Sequence, residues 1–407
     1  MVQPAQQRRY PPGVGTDRVT PGSQSSLREA NRARIVSAVQ QRGSLTQVEL
    51  AGVTGLSPAT VSNIVKELTT AGVLNTSNSI RSGRRAQQVT LARNLGLVAG
   101  VHFGSRSLRV AIADAGQQIL AEQRMPLPPE HRADAGLERA SLLIAELVES
   151  LDAGLTELLA VGVGVPAPVD PRTGRIVSAG VLRGWDGVSV TEVLERRLGA
   201  PVYVDNDANL GALAELRQGA AVGRQHVVYL KVSHGVGAGL IVGGRLVHGR
   251  AGAAGEFGHI TVDENGPICR CGNRGCLDAV IGAPALLRML EASHGHLTLP
   301  DVIARAQDGD PGCRRVISDA GRLLAVAAAD TCNLLDPELV VVGGRLAEAG
   351  PILLDTFRSV LAQRTLPSTV GEVEVVTTAL GTEAEVRGAL ALAMDHAGVA
   401  GSLVVAG

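Results

Sequence analysis

Gly258-His259, followed by Cys269-Arg-Cys271-Gly-Asn-Arg-Gly-Cys276, is the group in this chain best equipped for chemistry. One imidazole and three thiols form the tetrahedral donor set that zinc prefers, with no position left open for a catalytic water. The connecting segment is short and rich in glycine, so His259, Cys269, Cys271 and Cys276 can converge on one ion. Arg270, Asn273 and Arg274 make it a polar loop, which argues against cysteines that are merely buried. A structural Zn2+ is the expectation. Cys313 and Cys332 fall in helical stretches and read as small core residues.

The next constellation is Asp205-Asn206-Asp207 after the apolar strand Pro201–Val204, with Glu256 three residues ahead of His259. A carboxylate at a strand end beside a cleft can accept a hydroxyl proton in a reaction, or hold a hydroxyl by hydrogen bond. Amide and carboxylate groups together suit a polyhydroxylated ligand such as a sugar. Asp and Asn are also routine turn residues after a strand, so spacing alone leaves both readings open.

The elements that must position these residues are legible as a duplicated device. Leu97–Leu120 reads strand, Gly104 turn, strand, Gly116 turn, strand. His226–Arg250 repeats it, with Gly235-Val236-Gly237-Ala238-Gly239 and Gly243-Gly244 at the turns. Two such hairpins, each followed by alternating strands and helices, predict two similar α/β lobes around a cleft. Val161–Val169 reads as a buried strand ending in Pro-Ala-Pro. Leu339–Val342 leads into Gly343-Gly344, where a ligand or another backbone can come close.

A separate head precedes the lobes. Leu27–Gln41 is amphipathic, with Leu27, Ile35, Val36 and Val39 available for a core stripe, and Gly43 ends it. Thr46 and Glu49 form a capping-box pair for a short second helix with Leu50 and Val53 inward. After Gly55, Ser57 caps a third helix with Pro58 at its first position. Val61, Ile64, Val65 and Leu68 follow at helical spacing and must face inward, leaving Ala59, Thr60, Ser62, Asn63 and Lys66 on the outer face. Val73–Leu91 reads as a hairpin with Ser82-Gly83 at its tip and Arg81, Arg84 and Arg85 beside it. Together these predict a winged helix-turn-helix, mainly α, whose small polar face enters a major groove. Ser57, Ala59, Thr60, Ser62, Asn63 and Lys66 are its candidate contacts with double-stranded operator DNA. Arg81, Arg84 and Arg85 would meet phosphates or the minor groove. A three-helix interaction module with a solvated basic face is the alternative.

Charge supports this division. The chain has 407 residues and a net charge of −1, yet residues 1–92 hold eleven Lys/Arg against four Asp/Glu. A head of about +7 on a body of about −8 points to a polyanion partner for the head alone. Apolar residues make up 45% and aromatics only 2%, so the core must be built from Ala, Val and Leu. No run approaches the roughly 20 apolar residues of a membrane span, and no signal-peptide block opens the chain. Five cysteines, three of them in one loop, fit a metal site in a reducing cytoplasm better than a disulfide framework. The expected divisions are a flexible tail at 1–26, the winged domain at 27–93 and the two-lobed body at 94–407.

The winged head, Val204-Asp-Asn-Asp-Ala-Asn209, Glu256-Phe-Gly-His259 and the Cys-x-Cys-Gly-x-x-Gly-Cys loop together resemble the ROK family of sugar-responsive repressors and sugar kinases. The resemblance implies an actin-like ATPase fold for the body. It implies that Asn206, Asp207, Glu256 and His259 contact sugar hydroxyls, with Asp207 at the catalytic base. Asp278 stands where the family usually has a sugar-contacting Glu. Kinase members hold ATP through Asp-x-Gly-x-Thr, replaced here by His102-Phe-Gly104-Ser-Arg106, and through Gly-Thr-Gly, read here as Gly235-Val236-Gly237. Such losses remove the Mg2+-organising carboxylate and two hydroxyls aimed at phosphate. Val181-Leu182-Arg183 replaces the Asn-Leu that often precedes Gly184-Trp185. The expectation is a non-enzymatic, sugar-responsive repressor acting as a homodimer or homotetramer, the alternative being an ATP-dependent sugar kinase fused to a DNA-binding head.

Overall fold

The computed structural model describes residues 24–81, 84–128, 131–170, 172–177, 184–185, 187–366 and 373–397. Helix α1 (Gln24–Arg42) starts before Leu27, and the rest of the expected tail, 1–23, lies outside the described residues. Strand β1 (Ser44–Thr46), helices α2 (Gln47–Thr54) and α3 (Pro58–Thr70), and strands β2 (Leu74–Arg81) and β3 (Arg84–Leu91) complete the head.

Local chemistry accounts for these boundaries. Thr46 and Glu49 form the reciprocal capping box, and Gly55 terminates α2 in the left-handed conformation at φ 66°. Ser57 Oγ accepts from Thr60 N–H at 3.2 Å, with Pro58 opening α3. Ser57→Ala is expected to cost about 1 kcal/mol, read as a lower urea midpoint at unchanged slope. An unchanged midpoint would show that α3 holds its first turn without the cap.

Val61, Ile64, Val65 and Leu68 are all buried, as their spacing requires. Two expected core residues are not. Leu27 is 66% exposed, because it lies on a groove rimmed by Arg28, Asn31, Asn63 and Lys66 that offers it little apolar cover. Val53 is 42% exposed, because two-turn α2 buries only Leu50 and Thr54. β1, absent from the sequence reading, pairs antiparallel with β3 and ties the wing to the helices. The tip residues Ser82-Gly83 lie outside the described residues, while Arg81 and Arg84 pair across the last rung beside them.

The body opens with β4 (Leu97–Phe103), β5 (Ser107–Asp114) and β6 (Ile119–Pro126). Helix α4 (Ala133–Glu149), β7 (Leu158–Val165), β8 (Val169–Asp170), β9 (Arg175–Ile176), α5 (Val190–Leu198), β10 (Val202–Asn206) and α6 (Asp207–Gln218) follow. The second lobe carries β11 (Val227–Val232), β12 (Val236–Val242), β13 (Arg245–Leu246), α7 (Leu277–Ile281), α8 (Ala283–His294), α9 (Leu299–Gln307) and α10 (Pro311–Leu335). It continues with β14 (Leu339–Gly343), α11 (Pro351–Arg364), β15 (Glu374–Thr377) and α12 (Ala384–His396).

The two main sheets are copies of one plan. The first runs β10-β7-β4-β5-β6 and the second β15-β14-β11-β12-β13. In each, three parallel strands continue into an antiparallel meander. That is the duplicated two-lobed α/β architecture expected from the glycine-turned hairpins. Cys313 and Cys332 are fully buried in α10, as small core residues.

Two details differ from the sequence reading. Parallel pairing with β7 carries β10 past Val204 through Asp205 and Asn206, and Asp207 is the first residue of α6. The second hairpin turns at Ser233-His234-Gly235, and Gly237 and Gly239 lie within β12. Gly239 is there for packing, since a methyl group on it would fall 2.5 Å from the Ala212 Cβ of α6.

Head and body share one apolar core. Ile35, Val39, Leu50, Val61, Leu74 and Leu91 cluster with Val98 and Ala111 of the first sheet. Val386, Leu390, Ala393 and Met394 of α12 belong to the same cluster. Gln40 Nε2 donates to the Met394 carbonyl at 2.5 Å, pinning α1 to α12.

Candidate functional site

The C-terminal end of β10 delivers three polar residues to the start of α6. Asn206 caps that helix, its Oδ1 accepting from Ala208 N–H at 2.8 Å and Asn209 N–H at 3.4 Å. Its Nδ2 donates to the Ala167 carbonyl at 3.2 Å, so much of its hydrogen-bonding capacity is spent on the fold. Asp205 accepts from Asn209 Nδ2 at 2.9 Å and faces His248 Nε2 at 2.7 Å. The Asp205 hydrogen bond raises the His248 pKa against the opposing effect of burial.

Asp207 is buried and in contact with the Lys231 ammonium, and His102 Nε2 lies 3.6 Å from its Oδ2. Burial alone would push its carboxyl up, but Lys231 and His102 outweigh that and hold it below the ordinary carboxylate value. Lys231 stays protonated for the same reason. Burial works against its charge, while Asp207 and Glu385 more than restore it. Glu385, on α12, lies 3.9 Å from the ammonium.

Across the cleft, the Glu256–His259 turn rests on β12. A methyl group at Gly258 would fall 2.2 Å from the Val236 carbonyl oxygen, which is why glycine stands there. Burial, then the charges of Asp207 and Asp278, push Glu256 up to about 7 against the pull of Arg270. Asp278 accepts from Val236 N–H at 2.9 Å and from Arg270 Nη2 at 3.2 Å, so it braces the hairpin. His259 uses its two ring edges differently, with Nε2 3.7 Å from Glu256 Oε2 and Nδ1 3.6 Å from Cys269 Sγ.

The donor atoms of His259, Cys269, Cys271 and Cys276 lie within 4.8 Å of one another, a group that could hold a metal ion. Gly272 and Gly275, both at positive φ, reverse the loop, and Cys269 N–H bonds back to the Asn273 carbonyl at 2.7 Å. Burial and the neighbouring thiols push Cys276 up to about 12. Burial also keeps His259 neutral by lowering its pKa. Three thiols crowded this closely cannot all ionise without a cation among them, whereas a bound metal ion favours the thiolates. The donor set therefore fits a closed structural metal site.

On the head, Ser57, Ala59, Ser62, Asn63 and Lys66 are exposed and Thr60 half-exposed, so one face of α3 is small and polar. Arg81, Arg84 and Arg85 occupy the last rungs of the β2–β3 hairpin, at its turn end. The expected Val181–Arg183 departure lies outside the described residues. Trp185 is buried, its indole N–H donating to the His131 carbonyl at 3.1 Å.

The sequence reading missed Lys231, His248 and Glu385. Lys231 had a signal, since it is the one charge in the otherwise apolar strand Val227–Val232. Glu385 had none, because only the packing of α12 against the first lobe brings it to the cleft. Among the described residues no helix is long and apolar enough to cross a membrane.

Comparison with known proteins agrees with this geometry. Residues 28–75 match the winged helix-turn-helix DNA-binding model, and residues 98–396 the ROK family model. The DNA-binding transcriptional dual regulator NagC of Escherichia coli K12 is 31% identical over 92% of this chain and 96% of its own. A ROK family transcriptional regulator homologous to the E. coli MLC protein superposes with TM-score 0.74 at 25% identity, covering 94% of this chain and all of that one. The body alone resembles a ROK family glucokinase from Streptomyces griseus, solved with glucose and AMPPNP. That match has TM-score 0.66 and 28% identity, over 73% of this chain and 99% of the other. The chain belongs to the ROK family, with a winged helix-turn-helix DNA-binding head joined to the family's two-lobed kinase-fold body.

Proposed function

We propose that this chain is a sugar-responsive transcriptional repressor whose body binds a small sugar in the inter-lobe cleft without phosphorylating it. The observation that carries the reading is the buried contact between Lys231 and Asp207. A catalytic base must take a proton from the substrate hydroxyl. A carboxylate held below its ordinary pKa by an ammonium and an imidazole is a poor base but a good hydrogen-bond acceptor. The nucleotide side supports the same conclusion. His102, Ser105 and Arg106 stand in the first phosphate turn, and the second turn is Ser233-His234-Gly235, still without threonine.

In this reading Asp207, Glu256 and His259 hold sugar hydroxyls, Asn206 contributes its remaining amide hydrogen, and Asp278 supports the wall of the pocket. Zn2+ on His259, Cys269, Cys271 and Cys276 would supply a structural cross-link that fixes the Glu256–His259 turn. Ser57, Ala59, Thr60, Ser62, Asn63 and Lys66 read operator bases or the adjoining backbone. Two heads of a homodimer or homotetramer must match half-sites about 34–36 Å apart, so a small rotation of the lobes releases DNA.

The glucokinase likeness and the retained Asp207 favour the alternative, an ATP-dependent sugar kinase carrying a DNA-binding head. One experiment separates them. Full-length protein selects its duplex from a random library, and the affinity is remeasured with glucose, xylose or N-acetylglucosamine. The same sugars are assayed with Mg·ATP for ADP formation. Release of the duplex by a sugar, with no ADP formed, is expected, whereas Asp207-dependent turnover would overturn the repressor-only reading. On the DNA side, Arg84→Ala should weaken binding to all sequences and lower the slope of log affinity against log salt by about one. An unchanged slope would take the wing off the DNA.

A further inference from the structure

We propose that Lys231 and Glu385 carry sugar occupancy from Asp207 to the DNA-binding head, with α12 as the moving part. The proposal rests on the reading that Asp207 holds the sugar, and adds the residues through which occupancy is reported.

One buried ammonium here serves two buried carboxylates. It contacts Asp207 on α6 and stands 3.9 Å from Glu385 in the first turn of α12. His102 Nε2 lies 3.6 Å from Asp207 Oδ2, and neither it nor the buried Tyr229 hydroxyl has a hydrogen-bond partner among the described residues. Burial, and then the Glu385, Glu215 and Asp207 carboxylates, raise the Tyr229 phenol pKa well above its ordinary value. A cluster of this kind has two arrangements available, with the ammonium on Asp207 or drawn toward Glu385. A sugar hydroxyl donating to Asp207 takes up a lone pair that Lys231 otherwise uses, and so favours the second arrangement.

Glu385 is well placed to transmit that change because α12 is tightly seated. A methyl group at Gly388 would lie 1.9 Å from the Leu210 carbonyl oxygen of α6, and one at Gly162 would lie 1.9 Å from the Ala389 carbonyl oxygen. With backbone against backbone, the helix shifts as a unit and cannot absorb a displacement of its first turn by local repacking. Its far end carries Leu390, Ala393 and Met394 into the core of the head and accepts the Gln40 side chain on the Met394 carbonyl. One helix thus touches the ligand cluster at one end and the DNA-binding domain at the other.

The test uses full-length Glu385→Gln, which keeps the shape and removes the charge. Thermal melting establishes folding. Calorimetry measures affinity for whichever of glucose, xylose or N-acetylglucosamine most shifts wild-type melting, and the wild-type-selected duplex is bound with and without that sugar. Expected is sugar affinity and sugar-free duplex affinity each within about threefold of wild type, with the sugar-induced change in duplex affinity reduced about tenfold or more. A full sugar response in Glu385→Gln overturns the proposal. So does a parallel fall in both affinities at unchanged coupling, which a merely structural residue would give. If Glu385→Gln does not fold, Glu385→Asp keeps the charge but retracts it from Lys231. Loss of coupling there supports the proposal, and retained coupling overturns it. Wild-type protein that responds to none of the sugars overturns the underlying functional reading instead, so the two failures are distinguishable.

Discussion

Replacing Asp207 with Ala is expected to cost about 3–5 kcal/mol of stability and to abolish measurable sugar binding. The stability loss follows from what is left behind. Lys231 is buried, and without Asp207 its nearest carboxylate is Glu385 at 3.9 Å. The buried ammonium loses the closer of its two carboxylates, and no water is regained to make up for it, so the remaining longer contact to Glu385 only partly compensates. The binding loss follows from the acceptor, since hydrogen bonds to a charged group contribute about 1.5–3 kcal/mol each and two of them amount to roughly a hundredfold in affinity or more. Urea titration and calorimetry read the two effects. The double variant Asp207→Asn, Lys231→Met separates them, recovering most of the stability but none of the sugar affinity. Wild-type stability in Asp207→Ala would mean that the pair is not buried in solution, and the account of Asp207 as a clamped acceptor would fail with it.

Replacing Cys276 with Ser is expected to strip the metal and to uncouple the Glu256–His259 turn from the loop that braces it. Cys276 is fully buried, so its sulfur cannot be replaced by water without opening the loop. Structural zinc contributes on the order of 10–16 kcal/mol to folding in zinc-finger peptides. A share of that acts here locally, because the two lobes have their own cores. Metal content measured on purified protein should fall from about one ion per chain to near zero, and the melting temperature should drop by several degrees. Wild-type protein treated with chelator should reach the same state. Sugar response should vanish in both, since His259 Nε2 faces Glu256 while Nδ1 faces the thiols. Full metal content in the variant would show that these four side chains are not the ligand set.

Much of this molecule was written in local sequence. The capping box at Thr46 and Glu49, the Ser57-Pro58 helix start and the 3.6-residue spacing of Val61, Ile64, Val65 and Leu68 each determine structure within a few residues. The converging His259, Cys269, Cys271 and Cys276 were equally legible, because a glycine-turned loop can close a donor set without help from the rest of the fold. The duplicated hairpins announced two lobes for the same reason, since glycine placement fixes each turn locally.

Tertiary structure decided what those pieces do together. Leu27 and Val53 have core-like sequence patterns but lack a covering neighbour, which only packing could reveal. Asn206 was expected to offer its amide to a ligand, and only the fold showed that its Oδ1 also caps α6. Lys231 and Glu385 are 154 residues apart in the chain and meet only because α12 returns across the first lobe. Hydrophobic periodicity is a property of neighbours along the chain, and the pairing of buried charges is a property of neighbours in space. The first could be read from the sequence, and the second waited for the fold.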